Sequence, residues 1–201
     1  MPVLRSSTTS PFARKIRIAI SILGLEDKIR IENADTLDPK DSVRQQNPLG
    51  KIPTLVLDDG STLFDSRVIL EYLDHQAGGG RILPPAGPAR FEALRLQALA
   101  DGILDAGILR VYEGRFRPEE KHEAKWLDHQ TGKMGRALTA LEKAPPTLGP
   151  KLNIGDITLA CALGYLDFRF GTSWRETHPK LVKWLHEFAK KVPAFAETVP
   201  H

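Results

Sequence analysis

The chain has 201 residues, of which 41% are hydrophobic and 26% charged, and its formal net charge is +3. These proportions are typical of a globular protein with one large domain or two small ones. The basic residues are scattered rather than clustered, so nucleic acid is not expected as a partner. No apolar run approaches the ~18 residues that span a bilayer, so a membrane is not expected either.

The chain contains one cysteine, Cys161, and therefore no intramolecular disulfide framework. Cys161 lies in the apolar run 159–163, where we expect a small, buried and unreactive side chain. The first residues lack the charged and apolar regions of a secretory signal peptide. A cytoplasmic location is therefore expected, in a compartment that keeps thiols reduced.

The predicted first domain, residues 1–76, alternates between strand-like and helix-like segments. The strand-like segments are bounded by turn residues and lie at 2–5, 28–33, 54–57 and 61–64. The helix-like segments lie at 10–24, where Ser10 and Pro11 mark the start and Gly24 the end, and at 66–76. This order of elements predicts an α/β domain of the thioredoxin-like type.

Residues 77–88 contain three consecutive glycines and a proline pair without periodicity, and predict a linker. From residue 89 to residue 201 no segment predicts a strand. Helical patterns lie at 89–115, 119–143, 154–170 and 178–191. They predict an all-α domain, a helical bundle beside the first domain. Asn153 and Asp156 predict a capping box at the start of the third of these helices.

The segment 47–54, Asn-Pro-Leu-Gly-Lys-Ile-Pro-Thr, leads directly into the third predicted strand. Because proline cannot donate to a strand ladder, the backbone groups before Pro53 are predicted to be free. Free groups at a strand start can pair with an extended peptide. Asp65 and Ser66 lie at the start of the next helix, which favours an anion. Together these features predict a site for a small, charged, peptide-like ligand.

Three motifs, in this order, resemble the glutathione S-transferase family: Ser-Pro-Phe-Ala-Arg-Lys at 10–15, Asn-Pro-Leu-Gly-Lys-Ile-Pro at 47–53 and Phe-Asp-Ser at 64–66. The resemblance extends along nearly the whole chain, because the helical second half also fits. It implies a cytoplasmic detoxification enzyme, a glutathione transferase, that forms a homodimer and joins its co-substrate glutathione to a hydrophobic electrophile. The six histidines lack metal-ligand spacing, so no metal is expected.

Five hydroxyl residues, 6–10, separate the first strand from the first helix. Ser10 alone predicts an N-cap, and the resemblance adds a second role, hydrogen bonding to a glutathione thiolate at the helix start. Similarity to omega-class transferases and glutaredoxins places Ser10 at the reactive position, whereas alignment with the delta and zeta classes places Thr9 there. We favour Ser10, and both stay open. Neither is a cysteine, which disfavours thiol–disulfide exchange by the protein itself.

The resemblance also implies the residues that hold glutathione. The backbone of Ile52, before Pro53, would pair with the cysteinyl unit, and Lys51 would meet the glycine carboxylate. Asp65 would bind the γ-glutamyl ammonium and Ser66 the γ-glutamyl carboxylate. Each of these residues also has a purely structural interpretation. Ile52 would be a buried strand residue and Lys51 a solvated surface lysine, and Asp65 with Ser66 would be an N-cap pair.

Asp101 and Asp105 lie four residues apart in a predicted helix, a spacing that makes them repel and favours solvent exposure. The resemblance gives Asp101 another role, contact with the ligand of a partner subunit across the dimer. Acceptor-pocket candidates, for each of which core packing is the alternative, are Tyr112, Phe116, Trp126 and Trp174. The alternative function is a glutathione-binding or stress-associated protein without conjugating activity. Isomerisation or dehalogenation would use the same thiolate.

Overall fold

The first half of the protein is built around a four-stranded sheet. The structure is a computed structural model that describes residues 1–200. The strands are β1 (Val3–Ser6), β2 (Arg30–Asn33), β3 (Thr54–Val56) and β4 (Thr62–Leu63). They lie in the order β2-β1-β3-β4, with β1 parallel to β2 and β3 antiparallel to β1 and β4. Together with the helices described next, this sheet confirms the predicted α/β architecture.

Three helices accompany the sheet: α1 (Pro11–Leu23), α2 (Val43–Gln46) and α3 (Ser66–Gln76). The side chain of Ser10 accepts a hydrogen bond from the N–H of Ala13 and caps α1. Gly24 ends α1 in the left-handed region, with φ of 66°, a conformation that costs glycine little. Both ends of α1 therefore lie where the sequence predicts them.

The second half of the chain is helical, as predicted. Its helices are α4 (Gly87–Phe116), α5 (Ala124–Lys143), α6 (Ile154–Phe170), α7 (Trp174–Thr177), α8 (Pro179–Lys191) and α9 (Ala194–Glu197). Buried side chains surround most of α6, which packs against both α4 and α1, as expected of a helix without a polar face. None of the helices in residues 1–200 has the length and apolarity to cross a membrane.

The predicted capping box is confirmed at the start of α6. The side-chain oxygen of Asn153 accepts from the N–H groups of Gly155 and Asp156, at 2.8 and 3.2 Å. In return, Oδ2 of Asp156 accepts from the N–H of Asn153 at 2.9 Å. Side chains thus satisfy the N–H groups of Asn153, Gly155 and Asp156 at the start of α6.

Some element limits differ from the predicted ones. β2 begins at Arg30 rather than at residue 28, because residues 26–28 form a short 3₁₀ helix. Likewise, α5 begins at Ala124 because residues 119–121 form a 3₁₀ turn after the break at Pro118. The sequence did not predict α2, α7 and α9, whose four residues each are too few for helical periodicity.

The segment predicted as a linker is anchored to both halves. The carboxylate of Asp74 in α3 accepts hydrogen bonds from the backbone N–H groups of residues 80–83, at 2.7 to 3.3 Å. The carbonyl of Ile82 then accepts from the N–H of Ile154 at 2.9 Å. Helix α4 begins at Gly87, inside the predicted linker. The domain limits 1–76, 77–88 and 89–201 themselves stay a prediction.

Candidate functional site

A cavity of about 710 Å³, called the main cavity below, lies between the sheet domain and the helices α4 and α6. On the sheet side it is lined by the residues between β1 and α1 and by those just before β3. The sheet side contributes four of the predicted site residues: Thr9, Ser10, Lys51 and Ile52. The helical side contributes apolar, aromatic and charged side chains: Asp105, Ile108, Leu109, Val111, Tyr112, Arg115, Tyr165 and Arg169. The structure therefore brings together a hydroxyl-rich helix start, a strand start and an apolar wall.

Thr9 and Ser10, which both carry hydroxyl groups, line one corner of this cavity. Oγ of Ser10 accepts from the N–H of Ala13 at 3.2 Å, which leaves the hydroxyl hydrogen of Ser10 available to donate. An anion at this corner would meet the N-terminus of α1. Whether Ser10 or Thr9 would donate to a bound thiolate stays open.

The backbone before β3 has the geometry that strand addition requires. The ladder between β1 and β3 begins at Thr54, so the N–H and C=O of Ile52 lie beyond it. The Ile52–Pro53 peptide bond is cis. Pro53 itself is buried and does not line the cavity, whereas Lys51 and Ile52 do. An extended peptide could therefore pair with Ile52.

A buried amide holds this turn in place. Nδ2 of Asn47 donates to the carbonyl of Lys51 at 3.0 Å and to Oγ1 of Thr54 at 3.1 Å. Oδ1 of Asn47 accepts from the N–H of Leu49 at 3.0 Å. The hydroxyl of Thr54 also donates to the carbonyl of Lys51, at 2.9 Å. Asn47 was not among the predicted site residues, and the local signal for its role is the Asn-Pro pair, which is typical of a turn.

Asp65 and Ser66 lie at the N-terminus of α3, outside the residues that line the cavity. Oδ1 of Asp65 accepts from the N–H of Arg67 at 3.0 Å, which makes Asp65 the N-cap. Asp65 is exposed and Ser66 is buried. The Phe64–Asp65 peptide bond is cis. The predicted glutathione-binding roles of Pro53, Asp65 and Ser66 stay predictions.

Asp101 lies in a buried ion network rather than in solvent, so the expectation of exposure was wrong. Its Oδ1 accepts from Nζ of Lys15 at 2.6 Å, and its Oδ2 accepts from Nε of Arg67 at 3.1 Å. Burial lowers the pKa of Lys15, and the adjacent Asp101 opposes that shift. Both carboxylate oxygens of Asp101 therefore have partners in this chain. The predicted contact of Asp101 with the ligand of a partner subunit stays a prediction.

Asp105, one turn further along α4, lines the cavity and is exposed, as its spacing predicted. Partial desolvation, with a smaller contribution from Asp101, raises the pKa of Asp105. Lys15, Arg67 and Lys51 oppose this shift. Asp105 thus belongs to the same electrostatic environment as the sheet side of the cavity.

Cys161 is fully buried, as predicted. Burial raises the pKa of its thiol to about 11, against the opposing charge of Arg14. A thiol with this pKa is almost entirely protonated at neutral pH and is a poor nucleophile. Cys161 nevertheless lines a small gap together with Thr9 and Ser10, a proximity that its place in the sequence did not predict.

The acceptor-pocket candidates separate into three environments. Tyr112 lines the main cavity. Phe116 and Trp126 line an adjoining hollow that also includes Tyr112. Trp174 is buried and donates from Nε1 to Oδ1 of Asp167 at 2.8 Å, so its role is packing. Among residues 1–200, no three histidine, cysteine, aspartate or glutamate side chains are grouped so as to hold a metal ion.

Comparisons with known proteins agree with this geometry. Two family models match the chain. The model of the "Glutathione S-transferase, N-terminal domain" matches residues 9–76, and that of the "Glutathione S-transferase, C-terminal domain" matches residues 124–187. The "Uncharacterized GST-like protein YibF" of Escherichia coli (strain K12) is 37% identical over an alignment of 203 residues that covers 98% of each chain.

Two solved structures of a glutathione transferase family member from Pseudomonas fluorescens Pf-5 each cover 100% of both chains. One, with bound glutathione, is 42% identical with a TM-score of 0.93. The other, with bound S-(propanoic acid)-glutathione, is 41% identical with a TM-score of 0.89. From its fold, its motifs and these matches over both halves, the chain belongs to the glutathione S-transferase family.

Proposed function

We propose that this protein is a glutathione transferase that activates the glutathione thiol and joins its sulfur to an electrophilic carbon. The observation that carries the proposal is one cavity that contains the hydroxyl residues at the start of α1, the unpaired backbone of Ile52 and an apolar wall. Glutathione bound to the similar Pseudomonas protein supports the choice of ligand.

Glutathione would lie along the start of β3. The N–H and C=O of Ile52 would pair with its cysteinyl unit, since backbone pairing fixes an extended peptide without regard to its side chains. The exposed ammonium of Lys51 would meet the glycine carboxylate. The α3 N-terminus at Asp65 and Ser66 would hold the γ-glutamyl end, because helix N-terminal N–H groups favour a carboxylate.

This placement would direct the sulfur towards Thr9 and Ser10. A free thiol with a pKa of ~8.5 is mostly protonated at neutral pH. A hydroxyl donor and the positive end of α1 would stabilise the thiolate, with the proton released to solvent. The electrophile would pack on the apolar wall formed by Ile108 and Val111, next to the sulfur. A sulfur substituent is present in the S-(propanoic acid)-glutathione bound to the Pseudomonas protein.

The proposal is tested by calorimetry with glutathione and by conjugation of an activated aromatic chloride. We expect glutathione binding by the wild type, and a kcat/KM at least about tenfold lower in Ser10→Ala or Thr9→Val, from loss of one charge-assisted hydrogen bond. Ser61→Ala and Thr131→Val are matched controls, because both hydroxyls lie outside the cavity.

Each outcome of this experiment has a distinct meaning. If both Ser10→Ala and Thr9→Val retain full turnover, the assignment of the hydroxyl is wrong. If glutathione does not bind, the proposed function is wrong. Glutathione binding without turnover of any electrophile would identify the alternative, a glutathione-binding protein that does not conjugate.

The proposal includes a homodimer that acts in the cytoplasm, where glutathione is reduced. Val68 on α3 and Phe91 on α4 are 46% and 69% exposed, and a partner subunit would cover such apolar side chains. Light scattering should give twice the chain mass for the wild type and the single mass for Val68→Glu/Phe91→Glu. Ile31→Glu, at an exposed residue of the edge strand β2, should stay dimeric.

A further inference from the structure

The charged side chains of the main cavity separate into two groups. On the sheet side, Lys51 lies within electrostatic reach of Asp105. Asp35, after β2, also lines the sheet side. Beyond Asp105 on the helical side, the charged residues are Arg115 of α4 and Arg169 of α6. Arg115 is ten residues beyond Asp105, which is about 15 Å along the helix axis. The part of the cavity remote from β3 is therefore positively charged.

Neither guanidinium forms an ion pair within residues 1–200. The nearby carboxylates on the same two helices have other partners: Glu113 pairs with Arg117 at 2.6 Å, and Asp167 pairs with Arg175 at 2.6 Å. Nε of Arg169 is moreover buried without a hydrogen-bond partner in this part of the chain. Arg115 is exposed and Arg169 is half-buried, and cations without a carboxylate partner favour an anionic ligand.

Aromatic rings hold the two guanidinium groups without neutralising them. The guanidinium carbon of Arg115 lies 5.4 Å from the ring centroid of Tyr112. That of Arg169 lies 4.2 Å from the ring of Phe168 and 5.9 Å from the ring of Tyr165. Stacking of this kind orients the planar group without removing its charge. Arg169 also hydrogen-bonds to the hydroxyl of Tyr165, a neutral partner that leaves the positive charge uncompensated.

We propose that Arg115 and Arg169 bind a carboxylate carried by the electrophile, so that the enzyme acts on acidic electrophiles. This inference rests on the proposed function, in which Lys51 and Ser66 take the two carboxylates of glutathione itself. The planar fork of arginine matches a carboxylate in a bidentate geometry. The inference narrows the hydrophobic electrophile expected from the sequence to one with an apolar body and an acidic end.

A suitable probe is para-chloro-meta-nitrobenzoate, whose carboxylate lies opposite the reacting carbon. The thiolate sulfur bonds to the ring carbon that carries chlorine, the C–Cl bond breaks, and chloride leaves with the bonding electron pair. The thiol proton has already passed to solvent. Because the carboxylate takes part in no bond change, the corresponding carboxamide differs chiefly in the charge presented to the arginines.

The test uses calorimetry with three ligands: glutathione, its thioether with this nitrobenzoate, and the matching carboxamide thioether. The proteins are the wild type, Arg115→Gln/Arg169→Gln, the single variant Arg115→Gln, and Arg110→Gln as control. Arg110 lies on the same helix, over the ring of Phe170, and does not line the cavity. The control therefore removes the same charge from outside the proposed site.

We expect the wild type to bind the carboxylate thioether at least about tenfold more tightly than the carboxamide, as one charge-assisted contact allows. The double variant should bind the two thioethers equally and still bind glutathione. Arg110→Gln should keep the full preference for the carboxylate thioether, and Arg115→Gln should show a smaller preference than the wild type. Glutathione binding with equal affinities for the two thioethers in the wild type would overturn this inference and leave the proposed function standing. A preference that survives the double variant would overturn it too. Absence of glutathione binding would overturn both.

Discussion

The ammonium nitrogen of Lys15 lies 2.6 Å from Oδ1 of Asp101, and the two side chains are 0% and 1% exposed. Lys15 belongs to α1, which begins beside Ser10, and Asp101 belongs to α4, which lines the other wall of the cavity. This ion pair therefore links the two walls of the cavity directly. Arg67 at the start of α3 adds a contact to the second oxygen of Asp101.

Lys15→Met should lower the free energy of unfolding by about 3 kcal/mol or more, because it leaves the Asp101 carboxylate buried with one partner. Urea denaturation measures this change. The matched variant Lys15→Met/Asp101→Leu removes both charges and should be more stable than Lys15→Met alone. The single variant Asp101→Leu completes the cycle. If the double variant loses as much stability as Lys15→Met and Asp101→Leu together, the two charges do not interact.

Asn47→Ala should both destabilise the protein and weaken glutathione binding. It removes the hydrogen bonds from Asn47 to the Lys51 carbonyl and to Thr54, at a cost of about 2 kcal/mol for a buried group. Because these bonds hold the turn that presents Ile52, the Kd for glutathione should rise severalfold in calorimetry. Gln45→Ala, at an exposed residue of the same segment, is the control. Unchanged affinity in Asn47→Ala would contradict the role of Asn47 in holding the turn.

Asp156 should make stability fall with rising pH. Burial raises its pKa from 3.8 to about 6, and its Oδ1 has no partner among residues 1–200. The folded protein therefore binds this proton more tightly than the unfolded chain, and that stabilisation is lost as pH rises through the folded pKa. The full effect of such a shift is about 3 kcal/mol.

The measurement for Asp156 is the free energy of unfolding of the wild type minus that of Asp156→Asn. This difference should fall by up to about 3 kcal/mol between about pH 4 and about pH 7. The asparagine cannot titrate but keeps an acceptor for the N–H of Asn153. A difference that is constant or rises with pH would contradict the raised pKa.

Cys161 should be inert in the folded protein. Its thiol is fully buried and its pKa is raised to about 11, so a thiol-specific chromogenic reagent should react slowly in buffer and rapidly in denaturant. Cys161→Ala should retain conjugating activity, although Cys161 lies behind Thr9 and Ser10. Rapid labelling of the native protein would show that the thiol is accessible.

Helix ends and the start of a strand were predictable from the sequence, because they depend on residues a few positions apart. The ends of α1 follow from Ser10, Pro11 and Gly24, and the start of α6 follows from Asn153 and Asp156, since capping depends on residues within one turn. The motif before β3 likewise predicted that Ile52 precedes the ladder.

Contacts between distant residues were not predictable in this way. The spacing of Asp101 and Asp105 indicated solvent, yet Lys15, from another helix, makes burial of Asp101 tolerable. Arg115 and Arg169 line the same cavity only because α4 and α6 pack together. Nothing in the local sequence around either arginine marks it as part of a site.

The most direct test of the proposed function is the pKa of the glutathione thiol in the complex, followed by ultraviolet difference spectroscopy of the thiolate across pH. We expect the bound thiol to ionise about one pH unit or more below the ~8.5 of a free thiol. The shift should shrink in Ser10→Ala or in Thr9→Val, whichever removes the donor. A bound thiol that titrates like free glutathione in the wild type would contradict the claim that the start of α1 stabilises the thiolate.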